Sequence, residues 1–295
     1  MNEKVLIIGA SGLLGSKLMK ICKEKYKVFG TYLAHEKIKK DNNLFVLDVR
    51  ERNKVFKLIE KIKPNVVFDV HSLTNVDYCE LHREEAWAVN VEGTKNVAEA
   101  CEKNKIKIFF ISSDYVFDGK KNIYYEKDEL HPLNYYGKTK AIGEKVIQLL
   151  DTDHVIVRTT VLYGIGGIGK KPFTSWVIEN LKIGKEIKVV KDQFNNPTFV
   201  DNLAEILLKL YEKNAFGVFH VVGKDNVSRY KFALKIAEIF NLNKKLIKPI
   251  TTSELGQIAI RPKKLKLSTK KLKNFLGVVP FGINEGLKVM KRQML

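Results

Sequence analysis

The stretch Lys4-Val5-Leu6-Ile7-Ile8-Gly9-Ala10-Ser11-Gly12-Leu13-Leu14-Gly15 decides the fold. Its first half is a continuous aliphatic, β-branched run, the pattern of a strand buried on both faces in a parallel sheet. Its second half spaces Gly9, Gly12 and Gly15 as G-x-x-G-x-x-G, and a helical pattern follows to about Lys25. Glycines there let the chain turn sharply, let the backbone approach a diphosphate, and let helix and strand pack closely. The N–H groups at the helix start then face the phosphates. Between a first strand and a first helix, this spacing reads as a dinucleotide site.

Working outward, strand-like runs recur at 26–32, 44–48, 66–70 and 106–111, with helical patterns between them. One helix, 51–63, stops ahead of Pro64, and a long helix beyond Glu80 carries Asn90 and Asn96. Strands alternating with helices predict an α/β, doubly wound parallel sheet, whose ligands bind at the carboxyl ends of the strands. At the tip of the second strand, Gly30-Thr31-Tyr32, no carboxylate stands where a NAD site places one for the ribose hydroxyls. Lys37, Lys39 and Lys40 follow, either near that site or as a solvated loop. NADP(H) is therefore the preferred cofactor, with NAD(H) tolerated. Asp48 and Val49, after the third strand, stand where an adenine is edged by a carboxylate and a backbone amide. His71-Ser72-Leu73 ends the fourth strand. His71 is read there as a packing or hydrogen-bonding neighbour of a cofactor ring rather than as a base.

The chemistry is carried by Ser112-Ser113-Asp114-Tyr115-Val116-Phe117-Asp118-Gly119 and Asn134-Tyr135-Tyr136-Gly137-Lys138-Thr139-Lys140. On a helix, Tyr136 and Lys140 share a face, roughly 6 Å apart at Cβ. An ammonium beside a phenol favours phenolate and lowers the phenol pKa. A Ser113 hydroxyl would hold a carbonyl against that phenol. The trio is suited to moving a proton to or from a carbonyl or alcohol oxygen.

With 295 residues, 45% of them hydrophobic, the chain suffices for one large α/β domain with a smaller appendage. No apolar run is long enough to span a bilayer and the start lacks a signal-peptide pattern, so a cytoplasmic protein with no membrane partner is expected. Cys22, Cys79 and Cys101 are too few and too scattered for a disulfide framework or a metal site. Lys and Arg outnumber Asp and Glu by 52 to 33, a net charge of +19. The lysines are spread out and not interleaved with aromatics, which favours an enzyme for anionic small molecules over a nucleic-acid binder.

Taken in order, these residues resemble the extended short-chain dehydrogenase/reductases, and within them the dTDP-4-dehydrorhamnose reductase family. The resemblance runs through Gly9-x-x-Gly12-x-x-Gly15, Thr74-Asn75-Val76-Asp77-x-x-Glu80, Val89-Asn90, the Ser112 and Tyr136 segments, Arg158-Thr159, Tyr163-Gly164, Asp192-Gln193-Phe194-x-x-Pro197-Thr198 and Arg261-Pro262. It implies a Rossmann-type domain and reduction of the 4-keto group of a deoxysugar nucleotide. Ser113, Tyr136 and Lys140 fill the catalytic positions, with Tyr136 as proton donor and Lys140 on the nicotinamide ribose. Gly9, Ser11, Gly12, Leu13, Leu14 and Gly15 lie against the diphosphate. Thr31, Asp48, Val49, His71, Ser72, Leu73 and Ser112 complete the cofactor contacts, and Thr74, Tyr115 and Arg261 face the nucleotide-sugar substrate. The reading leaves room for a homodimer. Val161 departs from the family, whose bacterial reductases commonly have a tryptophan there. The segment 160–164, together with 111–119 and 240–251, is similar to a second relative, the regulatory β subunit of methionine adenosyltransferase. That resemblance implies an NADP-binding partner protein that performs no catalysis and binds methionine adenosyltransferase.

In the second half, Gly164-Ile165-Gly166-Gly167-Ile168-Gly169-Lys170-Lys171 nearly spells a nucleoside-triphosphate loop, but Lys171 offers no hydroxyl for Mg²⁺. A glycine-rich lid over a charged substrate is expected instead, with Lys170 and Lys171 either meeting a diphosphate or solvated. Phe173, Trp176 and Phe194 either line the substrate pocket or pack in the core, the core being favoured, and Asp201 is expected as the N-cap of a helix. Residues 1–165, rejoined by about 186–222, are expected to form the dinucleotide-binding domain. Residues 166–185 and 223–295 are expected to form a smaller C-terminal α/β substrate-binding cap.

Overall fold

The computed structural model of the protein describes residues 3–33, 42–169 and 171–295. The readings for Lys37, Lys39, Lys40 and Lys170 lie outside the described residues. Strand β1 (Lys4–Ile8) is followed by α1 (Leu13–Cys22), β2 (Lys27–Tyr32), β3 (Leu44–Val46), α2 (Arg52–Ile62) and β4 (Val66–Asp69). Lys63, left-handed at φ 52°, closes α2 ahead of Pro64. The single long helix that periodicity predicts next is instead broken. It runs as α3 (Val76–Leu81), α4 (Arg83–Trp87), a π-helical turn at Ala88–Glu92, and α5 (Gly93–Lys103). Then come β5 (Lys107–Ser113), α6 (Tyr135–Gln148) and β6 (His154–Thr159).

The remaining elements are β7 (Leu162–Tyr163), α7 (Phe173–Lys182), β8 (Ile187–Val190), β9 (Phe194–Asn195), β10 (Thr198–Phe199), α8 (Val200–Glu212) and β11 (Gly217–His220). After them lie β12 (Val227–Ser228), α9 (Arg229–Ile239), β13 (Ile247–Ile250), α10 (Thr252–Leu255), α11 (Lys270–Leu276) and α12 (Ile283–Gln293).

Seven strands form the main sheet in the order β11-β6-β5-β4-β1-β2-β3, all parallel. This is the expected doubly wound sheet. Alternate residues of β1 explain its continuous apolar run. Val5 and Ile7 pack with α1 and α8, while Leu6 and Ile8 pack with α2, α5 and α6. Burial of each such side chain stabilises the fold by about 1.5–3 kcal/mol. The strand order reverses between β1 and β4, and Ile8 stands beside Asp69. The glycine turn and residues 70–73 therefore leave the sheet side by side, at the crevice where such sheets bind ligands.

A further apolar cluster, which includes Tyr163, Val177, Phe232 and Leu287, packs α7, α9, α12 and β8 together. The return of residues 186–222 to the main unit is narrower than expected. β11 pairs with β6, but β8 pairs with β13 in a separate two-stranded sheet. Asp201 does not cap α8, which starts one residue earlier behind an extended Phe199. Its carboxylate instead accepts from Lys17 Nζ at 2.8 Å and Gln293 Nε2 at 3.0 Å, joining α1 to α12. Trp176 is 40% exposed and stacks on Phe173 at 5.8 Å, so it is not a core residue; Phe173 and Phe194 are half-buried. All three cysteines are buried and unpaired. Among the described residues, no helix is long and apolar enough to cross a membrane.

Candidate functional site

The glycine turn is built by close packing. Gly9 takes φ +90°, and a Cβ on Gly15 would lie 2.2 Å from the Gly9 carbonyl oxygen. Thr31 holds the turn from β2. Its hydroxyl accepts from the Gly9 N–H at 3.2 Å and its carbonyl from the Ala10 N–H at 2.7 Å. That hydroxyl, expected among the cofactor contacts, keeps its own proton to donate. The first turn of α1 carries no acidic residue, so its positive end is left for an anion. These features fit a dinucleotide diphosphate against Gly9, Ser11, Gly12, Leu13 and Leu14.

The glycine-rich segment after β7 lies over this turn. Ile168 N–H donates to the Ser11 carbonyl at 2.7 Å, and a Cβ on Gly167 would stand 2.6 Å from Leu13 N. A cavity of about 200 Å³ is lined by this strap, Leu13, Pro172 and Met290. The lid expected over the substrate therefore rests first on the glycine turn. Lys171 pairs with Glu179 at 2.8 Å.

One wall of the crevice comes from the end of β4. Asp69, buried in the sheet, pairs with His71 Nδ1, and His71 Nε2 lies 3.0 Å from the Val89 carbonyl. Asn90, on the π-helical turn, ties this wall to α6. Its Oδ1 accepts from Leu73 N at 2.8 Å and Ser72 Oγ at 3.1 Å, and its Nδ2 donates to Leu73 O and Thr139 Oγ1, each at 3.1 Å. No role for Asn90 was legible in the sequence beyond its place in a motif. Asp48 is held by Arg50, whose Nη2 donates to it at 2.6 Å, and this hydrogen bonding keeps its carboxyl below the usual range although burial opposes it. The Val49 carbonyl is held by Asn96 Nδ2 at 2.9 Å.

The opposite wall is β5 with α6. Asn134 caps α6 by accepting from Gly137 N at 2.8 Å, which sets Tyr136 and Lys140 on one face. The Ser113 hydroxyl lies in hydrogen-bonding reach of the Tyr136 phenol. One expectation reverses here. The phenol is pushed above its ordinary range by burial, with Ser113 opposing and Asp114 reinforcing the rise. Lys140 is itself 1% exposed, and burial lowers its pKa to about 8, with Asp69 and Glu144 opposing through space. A desolvated ammonium cannot dominate its neighbour, so Tyr136 is held in its protonated form. Asp114 is likewise raised by burial to about 6, against the Ser113 hydroxyl, which donates to its Oδ1 at 3.2 Å.

Beneath the trio runs a buried polar network. Ser112 Oγ donates to Glu144 Oε1 at 2.5 Å, and Arg158 grips Glu144 through Nε at 2.9 Å and Nη2 at 2.7 Å. The proton of the Ser112 hydroxyl is thus turned into the network. Glu144 was missed in the sequence, although it stands four residues beyond Lys140 on the same helix face. Of the expected substrate residues, Tyr115 meets Tyr136 edge to face, ring centres 6.2 Å apart. Arg261 Nη1 donates to Asp77 Oδ1 at 2.8 Å, and its guanidinium also reaches the Tyr115 phenol. Thr74 is exposed at the crevice rim. Glu80 accepts from Tyr135 N at 2.9 Å, clamping α3 to the start of α6.

Residues 3–295 match the family described as RmlD substrate binding domain. The chain belongs to that family. As a family member it is 32% identical to the dTDP-4-dehydrorhamnose reductase of Aggregatibacter actinomycetemcomitans, over 97% of both chains. It is 30% identical to the methionine adenosyltransferase 2 subunit beta of Bos taurus, over 97% of this chain and 87% of that one. Among solved structures it is similar to the dTDP-4-dehydrorhamnose reductase of Bacillus anthracis in complex with NADP. That match has a TM-score of 0.88 and 31% identity, covering 99% of this chain and all of the other.

Proposed function

We propose that the protein is a cytoplasmic, NADPH-dependent reductase of the 4-keto group of a deoxysugar nucleotide. The observation that carries this reading is the Ser113–Tyr136–Lys140 group at the carboxyl end of β5, facing the same crevice as the glycine turn. Kinship with a reductase solved with NADP supports it, as does the absence of an acidic residue at the tip of β2. Bound NADPH supplies the hydride to the carbonyl carbon. Ser113 hydrogen-bonds the carbonyl oxygen, and Tyr136, kept protonated by burial, delivers its proton as negative charge develops there. Lys140 holds the nicotinamide ribose and offsets charge left on the phenol. Tyr115 and Arg261 orient the nucleotide sugar.

Removal of the Tyr136 hydroxyl in Tyr136→Phe should cut turnover of a 4-keto sugar nucleotide by about a hundredfold or more, followed as NADPH oxidation. Wild-type turnover in that variant would overturn the reading. The second reading, a regulatory subunit, draws on the methionine adenosyltransferase relatives and on Val161. It expects NADP binding without turnover on any 4-keto sugar nucleotide, and a stable complex recovered when the protein is co-expressed with methionine adenosyltransferase.

A further inference from the structure

Asp69 is a carboxylate built into the sheet itself. It is buried, in register with Ile8 of β1 on one side and Phe110 of β5 on the other. In-register residues of parallel strands turn their side chains to one face. Ile8 and Phe110 pack in the layer under α2, α5 and α6, so the Asp69 carboxyl enters that layer too. A carboxylate there is costly unless opposite charge meets it. His71 meets half of that need. Its Nδ1 pairs with Asp69 Oδ1, and its Nε2 lies 3.0 Å from the Val89 carbonyl. A carbonyl only accepts, so Nε2 carries a proton and the ring is held at both ends. Asp69 Oδ2 is buried and has no hydrogen-bond partner.

Two buried cations share the layer. Arg158 is matched by Glu144, whose oxygens are engaged by Arg158 and Ser112. Lys140 stands over the Phe110 ring at 4.1 Å, and among the described residues no carboxylate lies at salt-bridge distance from it. Phe110 and Asp69 are neighbours across one strand spacing, about 4.8 Å. The cation over that ring and the spare carboxylate oxygen therefore occupy one small region. The other ionisable groups around α6 are committed elsewhere. Glu80 is taken by Tyr135 N and Arg83, Asp114 by Ser113, and Glu92 by Trp87. Burial keeps the Cys101 thiol and the Tyr136 phenol uncharged.

We propose that Asp69 is the counter-ion of Lys140, held in place by His71, and that both act as positioning residues for proton delivery at Tyr136. Charge explains the arrangement. Burial lowers the Lys140 pKa to about 8, and Asp69 opposes that fall more strongly than Glu144 does. Asp69 thereby keeps Lys140 protonated at neutral pH, ready to offset charge left on the phenol. His71 in turn fastens Asp69 to the π-helical turn at Ala88–Glu92. Only the effect on turnover depends on the proposed reduction.

The test titrates the full chain through two readouts. One is the pH–rate profile of NADPH oxidation with a 4-keto sugar nucleotide. The other is the ¹³Cε resonance of Lys140 in the cofactor-free protein, identified by its loss in Lys140→Met. Wild type, Asp69→Asn, His71→Gln and Glu24→Gln are compared, the last removing an exposed carboxylate elsewhere. Loss of a facing anion disfavours the ammonium, so Asp69→Asn should lower both alkaline midpoints by about one pH unit or more. His71→Gln leaves both Asp69 oxygens to the ammonium and should raise them, and Glu24→Gln should match wild type. Side chains that merely hold the fold would lower the rate without moving the midpoints in opposite directions. Unmoved midpoints in Asp69→Asn would overturn the assignment while leaving the reductase reading intact. A fall in Asp69→Asn with no rise in His71→Gln would support the counter-ion and refute the part given to His71. Wild type without turnover would overturn the reductase reading, and the Lys140 resonance alone would then decide the counter-ion. If Asp69→Asn shows no cooperative melting, and so has not folded, His71→Gln decides: raised midpoints support the pairing, and lowered or unmoved ones overturn it.

Discussion

Lys140 sits with its ammonium 4.1 Å from the centre of the Phe110 ring, and burial brings its pKa down from 10.5 to about 8. A lysine whose folded pKa lies below its unfolded value destabilises the protein while it is charged. That penalty is fully present below about pH 8 and fades as pH rises toward 10.5. Lys140→Met should therefore raise the melting temperature of the cofactor-free protein by a few degrees at pH 7, the gain vanishing above pH 10.5, while turnover is lost. A thermal denaturation series across pH checks the first outcome, and NADPH oxidation the second. Turnover of the wild type should likewise fall on the alkaline side as Lys140 loses its proton. The spacing of Tyr136 and Lys140 was legible in the sequence. The sign of the phenol shift was not, because it depends on how far both groups leave water, and a linear motif carries no information about burial.

At the scale of elements, α6 brings the site together. Asn134 fixes its start, Thr139 meets Asn90, and Glu144 anchors it to β5 and β6 through Ser112 and Arg158. Glu144→Gln keeps the shape but leaves the Arg158 guanidinium buried without its counter-charge. Stability should drop by about 3 kcal/mol or more, read from urea denaturation. Glu144 also supports the Lys140 cation, so in the same variant the alkaline limb of the pH–rate profile should move to lower pH. The break in the helix after β4 explains why Asn90 escaped notice. Periodicity counts residues at a uniform pitch, and the wider turn at Ala88–Glu92 places Asn90 where a regular helix would not. By contrast, β1 and the glycine spacing were legible, because a two-faced apolar run and a close approach of helix to strand leave few other residue choices.

For the whole molecule, the parallel sheet and its crevice followed from the alternation of patterns. The allocation of the later segments did not. Ile187–Val190 and Gly217–His220 are both short strands, yet one pairs with β13 and the other with β6. Short apolar runs specify a strand without naming its partner. The strap is the other feature of this kind. Its glycines suggested mobility, and only the folded chain reveals that Ser11 and Leu13 are what it rests on.

That resting place has a kinetic consequence. A dinucleotide lying along the turn would leave only after the strap has swung away, so departure of the oxidised coenzyme should be the slow step that limits steady-state cycling. Binding should follow a compulsory order, coenzyme first, with NADP⁺ inhibiting competitively against NADPH and a burst of oxidation preceding the linear phase. Gly167→Ala, whose added methyl would collide with Leu13, should abolish the burst and speed NADP⁺ release in stopped-flow fluorescence. An unchanged release rate would mean that the coenzyme enters and leaves by another path.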